Sequence, residues 1–210
     1  MKKFLLAAAL GAVSIANPAS AEEKTYQLDQ IHSVDAGGAF NIVIDFGKKQ
    51  SVTVSEEQGR FDHIDLEVED GTLDIDFRKN WRGNGGPEFT INLVLTSLKE
   101  LDISGASRVL VRKAKLDDLE IDASGASQFV LSGTCNHLAA DVSGAVKFVA
   151  DELHCKSIEM ELSGASEASI WADEKVDVET SGVSKIAVHG DAKSIHHESS
   201  GLSNMVHVKG

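Results

Sequence analysis

Six short segments recur at near-constant spacing and restrict the fold more than any other feature of the chain. Ser104-Gly105-Ala106-Ser107 returns as Ser124-Gly125-Ala126-Ser127, Ser143-Gly144-Ala145-Val146 and Ser163-Gly164-Ala165-Ser166. It returns again as Ser181-Gly182-Val183-Ser184 and Ser200-Gly201-Leu202-Ser203, at successive offsets of 20, 19, 20, 18 and 19 residues. A fixed period of this length is the mark of a repeat architecture. After each motif the sequence alternates. Arg108, Gln128, Lys147, Glu167, Lys185 and Asn204 are polar, and the next position holds Val109, Phe129, Phe148, Ala168, Ile186 and Met205. Two residues further stand Val111, Leu131, Ala150, Ile170, Val188 and His207. Before each motif, Leu101, Ile121, Ala140, Met160, Val178 and His197 are followed by Asp102, Asp122, Asp141, Glu161, Glu179 and Glu198. Period-two alternation on both sides of a glycine turn describes two half-buried strands per unit. No window of the repeat keeps a 3.6-residue apolar period.

A coil of about 20 residues is too small to bury its own apolar face, but stacked coils cover one another and pair their strands in parallel. The expected fold is therefore all-β, a parallel β-helix (β-solenoid), right-handed by the default for parallel crossovers. The glycine permits a tight bend, and the flanking serines are expected to stack into hydroxyl ladders. Residues 22–100 lack the motif yet alternate at Asn41–Asp45, Ser51–Val54, Asp65–Val68, Thr72–Asp76 and Phe89–Leu93. They are expected to form irregular strands or coils leading into the motif coils of 101–210, with 22–210 as one domain.

Residues 1–21 have the layout of a removable export signal: Lys2 and Lys3, an apolar run from Phe4 to Ile15, and Ala19-Ser20-Ala21 before Glu22. The run is too short for a membrane-spanning helix, and no later stretch is apolar enough. Without the leader, 18 basic side chains face 33 acidic ones, a formal charge of −15. That balance argues against nucleic acid and anionic membrane surfaces, which require a positive footprint. The destination is outside the cytoplasm: periplasm, outer-membrane surface or extracellular space.

The repeated Ser-Gly-Ala-Ser after a short Leu/Ile-X-Ile strand resembles the bacterial head GIN domain family, described as auto-transporter adhesin heads. Ala39-Phe40-Asn41-Ile42-Val43-Ile44 and Gly71-Thr72-Leu73-Asp74-Ile75 carry the same resemblance, which spans roughly residues 30–208. It implies an exported β-solenoid of Gram-negative bacteria with an adhesin-like role. The sequence holds no translocator barrel or long stalk, so a complete auto-transporter is not expected.

Candidate chemistry is sparse. Cys135 and Cys155 each lie eight residues before the next motif, so they occupy one site on adjacent coils. At one strand spacing they are within disulfide reach in an oxidising compartment, or they are two buried thiols filling a core column. The segment from Arg78 through Trp81 and Arg82 is the one basic, aromatic loop on an acidic chain, a composition used in recognition surfaces. Folded back, the same loop would instead cap a coil. His189, His196, His197 and His207 show no metal-ligand spacing and are read as solvent-facing or end-cap side chains, and the acidic rows lack the calcium nonapeptide of other solenoids. No cofactor and no catalytic set is expected. The reading is a non-catalytic envelope or surface protein that binds a glycan or an envelope protein. The alternatives are a polysaccharide-active β-helix enzyme and a structural element that self-assembles through the open C-terminal edge at Met205-Val206-His207-Val208-Lys209-Gly210.

Overall fold

The computed structural model describes residues 21–78 and 88–208. The leader up to residue 20 and the loop positions Trp81 and Arg82 lie outside them. Sixteen strands form one sheet wound on itself. In chain order they are β1 (Glu22–Tyr26), β2 (Ser33–Gly38), β3 (Asn41–Phe46), β4 (Ser51–Glu56), β5 (Ile64–Glu69), β6 (Thr72–Phe77), β7 (Thr90–Leu95) and β8 (Glu100–Gly105). Then follow β9 (Arg108–Lys115), β10 (Asp118–Ala123), β11 (Gln128–Gly144), β12 (Lys147–Gly164), β13 (Glu167–Gly182), β14 (Lys185–His189), β15 (Ser194–Gly201) and β16 (Asn204–Val208). A 3-10 turn, Phe61–His63, precedes β5.

The architecture is a parallel β-solenoid of about 20 residues per coil, and the motif is its corner. Strands entering the corner stack as one wall: β2, β8, β10, then the second halves of β11, β12 and β13, then β15. Strands leaving it stack as the opposite wall: β3, β9, the first halves of β11, β12 and β13, then β14 and β16. β11, β12 and β13 are long because each continues around a second corner from one wall to the other. Parallel register is kept residue for residue at the motif, with Ser143 on Ser163 and Gly144 on Gly164.

The walls enclose an aliphatic core. Leu101, Ile121, Met160 and Val178 from one wall and Val109, Phe129, Phe148 and Ile186 from the other are buried, and the Phe129 and Phe148 rings lie 5.6 Å apart. The two serines of the motif part company. The first is on the outer surface, whereas Ser107, Ser127, Ser166 and Ser184 are buried. Ser107 donates to the Gly38 carbonyl at 3.2 Å, and Ser127 and Ser166 reach the Gly105 and Gly144 carbonyls at 3.5 Å. Ser107, Ser127 and Ser166 are thus held in the core by the carbonyl of the coil beneath, whereas the buried Ser184 Oγ has no hydrogen-bond partner among the described residues.

The N-terminal segment is interleaved with the solenoid. β2 and β3 form a coil whose corner is Gly37-Gly38-Ala39-Phe40, a degenerate copy of the motif. Gly37 and Gly38 pair in register with Ser104 and Gly105, and the Ala106 N–H donates to the Gly38 carbonyl at 2.7 Å. Phe40 takes the inward serine's place and stacks on Phe77, ring centres 4.6 Å apart. The chain then leaves through β4 and β5 and returns as β6 and β7, which stack in parallel on the far side of β2 and β3. β5 pairs antiparallel with β6, β4 with β7, and β1 with β4, closing that end of the stack. The closure is pinned by Glu56. This buried carboxylate accepts from the backbone N–H groups of Gln58 and Arg60 at 2.8 and 2.9 Å and from the Arg60 guanidinium at 2.6 Å. Burial pushes its pKa up, but the Arg60 and Gln58 hydrogen bonds outweigh burial and hold it at about 2.

Cys135 and Cys155 stand in register on β11 and β12, both buried, and are joined as a disulfide with Cα atoms 4.4 Å apart. The bond closes one full coil. In a chain-entropy estimate a loop of this length contributes about 3 kcal/mol. Replacing both cysteines by alanine is expected to lower urea-unfolding stability by about that amount. Thiol titration of the unfolded, unreduced protein is expected to find no free thiol; a full count of two would refute the bond.

The corner glycines make the sharper test. Gly144 has φ of +103°, and a Cβ there would sit 2.3 Å from the Gly125 carbonyl oxygen, a backbone atom that cannot yield. Gly144→Ala is expected to cost about 2–4 kcal/mol. The neighbouring Ala145→Ser, exposed, should stay within about 0.5 kcal/mol in the same unfolding experiment.

Candidate functional site

The outer surfaces of the two walls carry different chemistry because strand alternation projects every second residue outward and parallel register lines up its equivalents. On the entering wall, Asp74, Asp35, Asp102, Asp122, Asp141, Glu161, Glu179 and Glu198 form one continuous row. At one strand spacing per step the row is roughly 34 Å long. Beside it run Glu100, Glu120, Glu159 and Asp177 on one flank and the outward serines of the motif on the other. Like charges so aligned oppose ionisation. Asp102 has its pKa raised, first by partial burial and then by Asp122 and Glu100. Asp35 is raised by burial and then by Asp102 and Asp74.

On the leaving wall the row next to the corner is Asn41, Arg108, Gln128, Lys147, Glu167, Lys185 and Asn204. One residue pair further along the strands lies a row of Val43, Leu110, Val130, Val149, Ser169, Ala187 and Val206, facing out yet largely apolar. These side chains are half-buried except Val206, which is exposed. Two shallow hollows lie along this strip. One of about 600 Å³ is lined by Phe40, Asn41, Phe77, Arg108 and Gln128, and the Arg108 Nε–H donates to Gln128 Oε1 at 3.1 Å. The other, about 370 Å³, is lined by Lys147, Val149, Glu167, Lys185, Ala187 and Val206. Cationic and amide donors beside an apolar floor can bind a ligand that carries both anionic and apolar parts.

The structure places the remaining sequence candidates separately. Arg78 is exposed at the end of β6, its backbone N–H donating to the His63 carbonyl and its guanidinium 3.7 Å from Asp65. Trp81 and Arg82 fall outside the described residues. Trp171 packs at the second corner between His154 and His189, in near-parallel stacks with centres 4.4 and 6.5 Å away. The histidines are dispersed over separate partners. His189 bonds Ser169, His196 bonds Glu198, His197 bonds Thr180, and His207 donates to the Gly190 carbonyl. Among the described residues no group of His, Cys, Asp or Glu is arranged to hold a metal ion, and no helix is long and apolar enough to cross a membrane. The apolar outward row escaped the sequence reading. Its signal was present at Leu110, Val130 and Val149, one residue after each inward position, but a run of three apolar residues does not by itself say which way the middle one points.

Residues 31–192 match the family described as "Putative auto-transporter adhesin, head GIN domain". The chain belongs to the head GIN domain family. Its fold is shared by a crystal structure of a putative adhesin from Bacteroides fragilis NCTC 9343, with TM-score 0.75 at 18% identity, covering 91% of this chain and 98% of that one. A putative adhesin from Parabacteroides merdae ATCC 43184 aligns with TM-score 0.54 at 11% identity, over 90% and 96% of the two chains. A putative lipid binding protein from Parabacteroides distasonis ATCC 8503 aligns with TM-score 0.50 at 19% identity, over 90% and 96%. No curated protein matches the chain. The family and these neighbours are named for binding rather than for catalysis.

The carboxylate row gives this head GIN domain a definite pH response. A carboxyl whose folded pKa is raised takes up its proton in the native state first. Stability therefore rises as pH falls through the folded value and is fully gained below the unfolded value, near 3.8 for Asp102. Asp102→Asn is expected to raise Tm at pH 7 by roughly 1–3 °C, a difference that shrinks as the pH approaches 4. Glu56 has the opposite sign: its contribution is complete above pH 4.5 and is lost as pH falls through about 2. Thermal melts of both proteins between pH 7 and 2 check this, and a destabilised Asp102→Asn at neutral pH would contradict it.

Proposed function

We propose that this head GIN domain is an exported, non-catalytic binding protein of the envelope or cell surface. The strip on the leaving wall meets the partner, an acidic glycan or an acidic patch of an envelope protein. The observation that carries the reading is the pairing of the Arg108–Lys147–Lys185 row with the apolar row from Val43 to Val206 on a chain with a large acidic excess. Repeat architectures offer extended surfaces in which each coil adds one weak contact, so affinity grows with the number of coils engaged. Cations there draw an anionic partner, while the opposite wall, with its row of carboxylates, turns it away.

The export expectation and the family's adhesin description agree with this role. The basic, aromatic segment around Arg78, Trp81 and Arg82 is retained as a second contact for the same partner on its composition alone. The reading of a polysaccharide-active enzyme predicts new reducing ends on incubation with acidic or neutral polysaccharides, whereas binding alone leaves chain length unchanged.

Capture of acidic polysaccharides and of solubilised envelope proteins on immobilised domain tests the proposal. Lys147→Glu/Lys185→Glu is expected to reduce capture at least tenfold and to weaken its salt dependence, at roughly 1.4 kcal/mol per tenfold. Trp81→Ala and Arg82→Ala are expected to have smaller effects. Capture that survives Lys147→Glu/Lys185→Glu while falling with Trp81→Ala would move the site to the loop; equal capture by every variant would remove both.

A further inference from the structure

The two ends of the stack differ. The end built by β1, β4 and β5 is antiparallel, and its outermost strands expose Glu22 and Glu23 on β1 and Asp65, Glu67 and Glu69 on β5. At the other end, β15 pairs only with β13 and β16 only with β14 among the described residues, leaving one edge of each strand open. The exposed large apolar side chains also gather there: Val183, Leu202, Val206 and Val208, at 59, 82, 51 and 44% exposure. Ile195 and Met205, which face inward, are only partly covered. An open, apolar strand edge is a template for another strand.

We infer that this end binds a second copy of the chain across a two-fold axis, β15 pairing antiparallel with its own equivalent and β16 with its own. Charge selects this occupant and this direction. A head-to-tail contact would set β15, with Glu198 at the end of the carboxylate row, against the exposed acids of β5. An antiparallel pair centred on His197 instead sets Glu198 of each copy opposite His196 of the other. These two side chains already hydrogen-bond within one copy, Nε2 and Oε1 being 3.2 Å apart. The same axis runs through the middle of β16, where Val206 meets Val206 of the second copy in an apolar cross-strand pair. The contact is isologous and closes on itself, so it gives a dimer and no fibre. It joins the leaving walls of two copies into one surface of double length. The contact does not rest on the binding role proposed above, because it uses the strand edges and not the strip's cations.

Sedimentation equilibrium and oxidative cross-linking of the full mature chain test the inference. Wild type is expected at the two-chain mass. Val206→Asp, which sets two carboxylates face to face on the surface, is expected at the one-chain mass with an unchanged circular dichroism spectrum and with dimer affinity reduced at least tenfold. Val206→Cys should oxidise to a covalent dimer, since directly opposed residues lie roughly 5 Å apart. Ala187→Cys, one strand further in and about three strand spacings or roughly 14 Å from its equivalent, should not. A one-chain mass for wild type, a two-chain mass retained by Val206→Asp, or equal cross-linking of the two cysteine variants would overturn the inference.

Discussion

Everything in this molecule depends on one hydrogen bond repeated up a column. The N–H of the motif's third residue donates to the carbonyl of the glycine one coil below: Ala126 to Gly105, Ala145 to Gly125, Ala165 to Gly144, Val183 to Gly164 and Leu202 to Gly182, all at 2.7 or 2.8 Å. For that approach the glycine must carry no Cβ, because the atom would occupy the position of the carbonyl it rests on. The corner therefore fixes the stacking distance. Once the distance is fixed, parallel ladders on both walls follow, and the core residues of successive coils are brought into contact. At Ser107, Ser127 and Ser166 the serine adds a second bond to the same carbonyl, so the corner there is polar, compact and short, and the apolar volume is left to the strands.

A column of this kind has no intrinsic end, and the chain supplies one by changing strand direction. β6 and β7 still stack in parallel on β2 and β3, but the strands outside them are antiparallel, and Glu56 with Arg60 ties the reversal. The reversal ends the run of stacked coils, and the exposed acids of its outer strands, Glu22 and Glu23 on β1 and Asp65, Glu67 and Glu69 on β5, oppose pairing with another acidic strand.

The repeat made the motif coils legible from the sequence alone, since a period of about 20 residues and alternation on both sides of the glycine leave few ways to bury the apolar positions. The same reasoning faltered at Gly37-Gly38-Ala39-Phe40. There Phe40 replaces the inward serine and Gly37 the outward one, so the fingerprint is lost although the geometry persists. Nor could period alone say that β6 and β7 stack on the opposite side of β2 and β3 from β8 and β9, because that order is a tertiary choice between the two hydrogen-bonding edges of each strand. The carboxylate row was readable from Asp102, Asp122, Asp141, Glu161, Glu179 and Glu198, and the structure extends it through Asp35 and Asp74. The strip was harder to read. Val130 and Val149 look like core residues in the sequence, and only the pairing of their neighbours Phe129 and Phe148 inside the core shows that they face out.

The contrast between the walls follows from register. In a parallel stack, whatever occupies an outward position is repeated at every strand spacing, so a single preference becomes a field. A row of carboxylates yields a wall whose face other acidic surfaces avoid. Where Lys147, Glu167 and Lys185 alternate, the negative field is interrupted by cations, and the apolar row beside them is open to contact. Mixed charge on one wall and uniform charge on the other thus give the solenoid a preferred side.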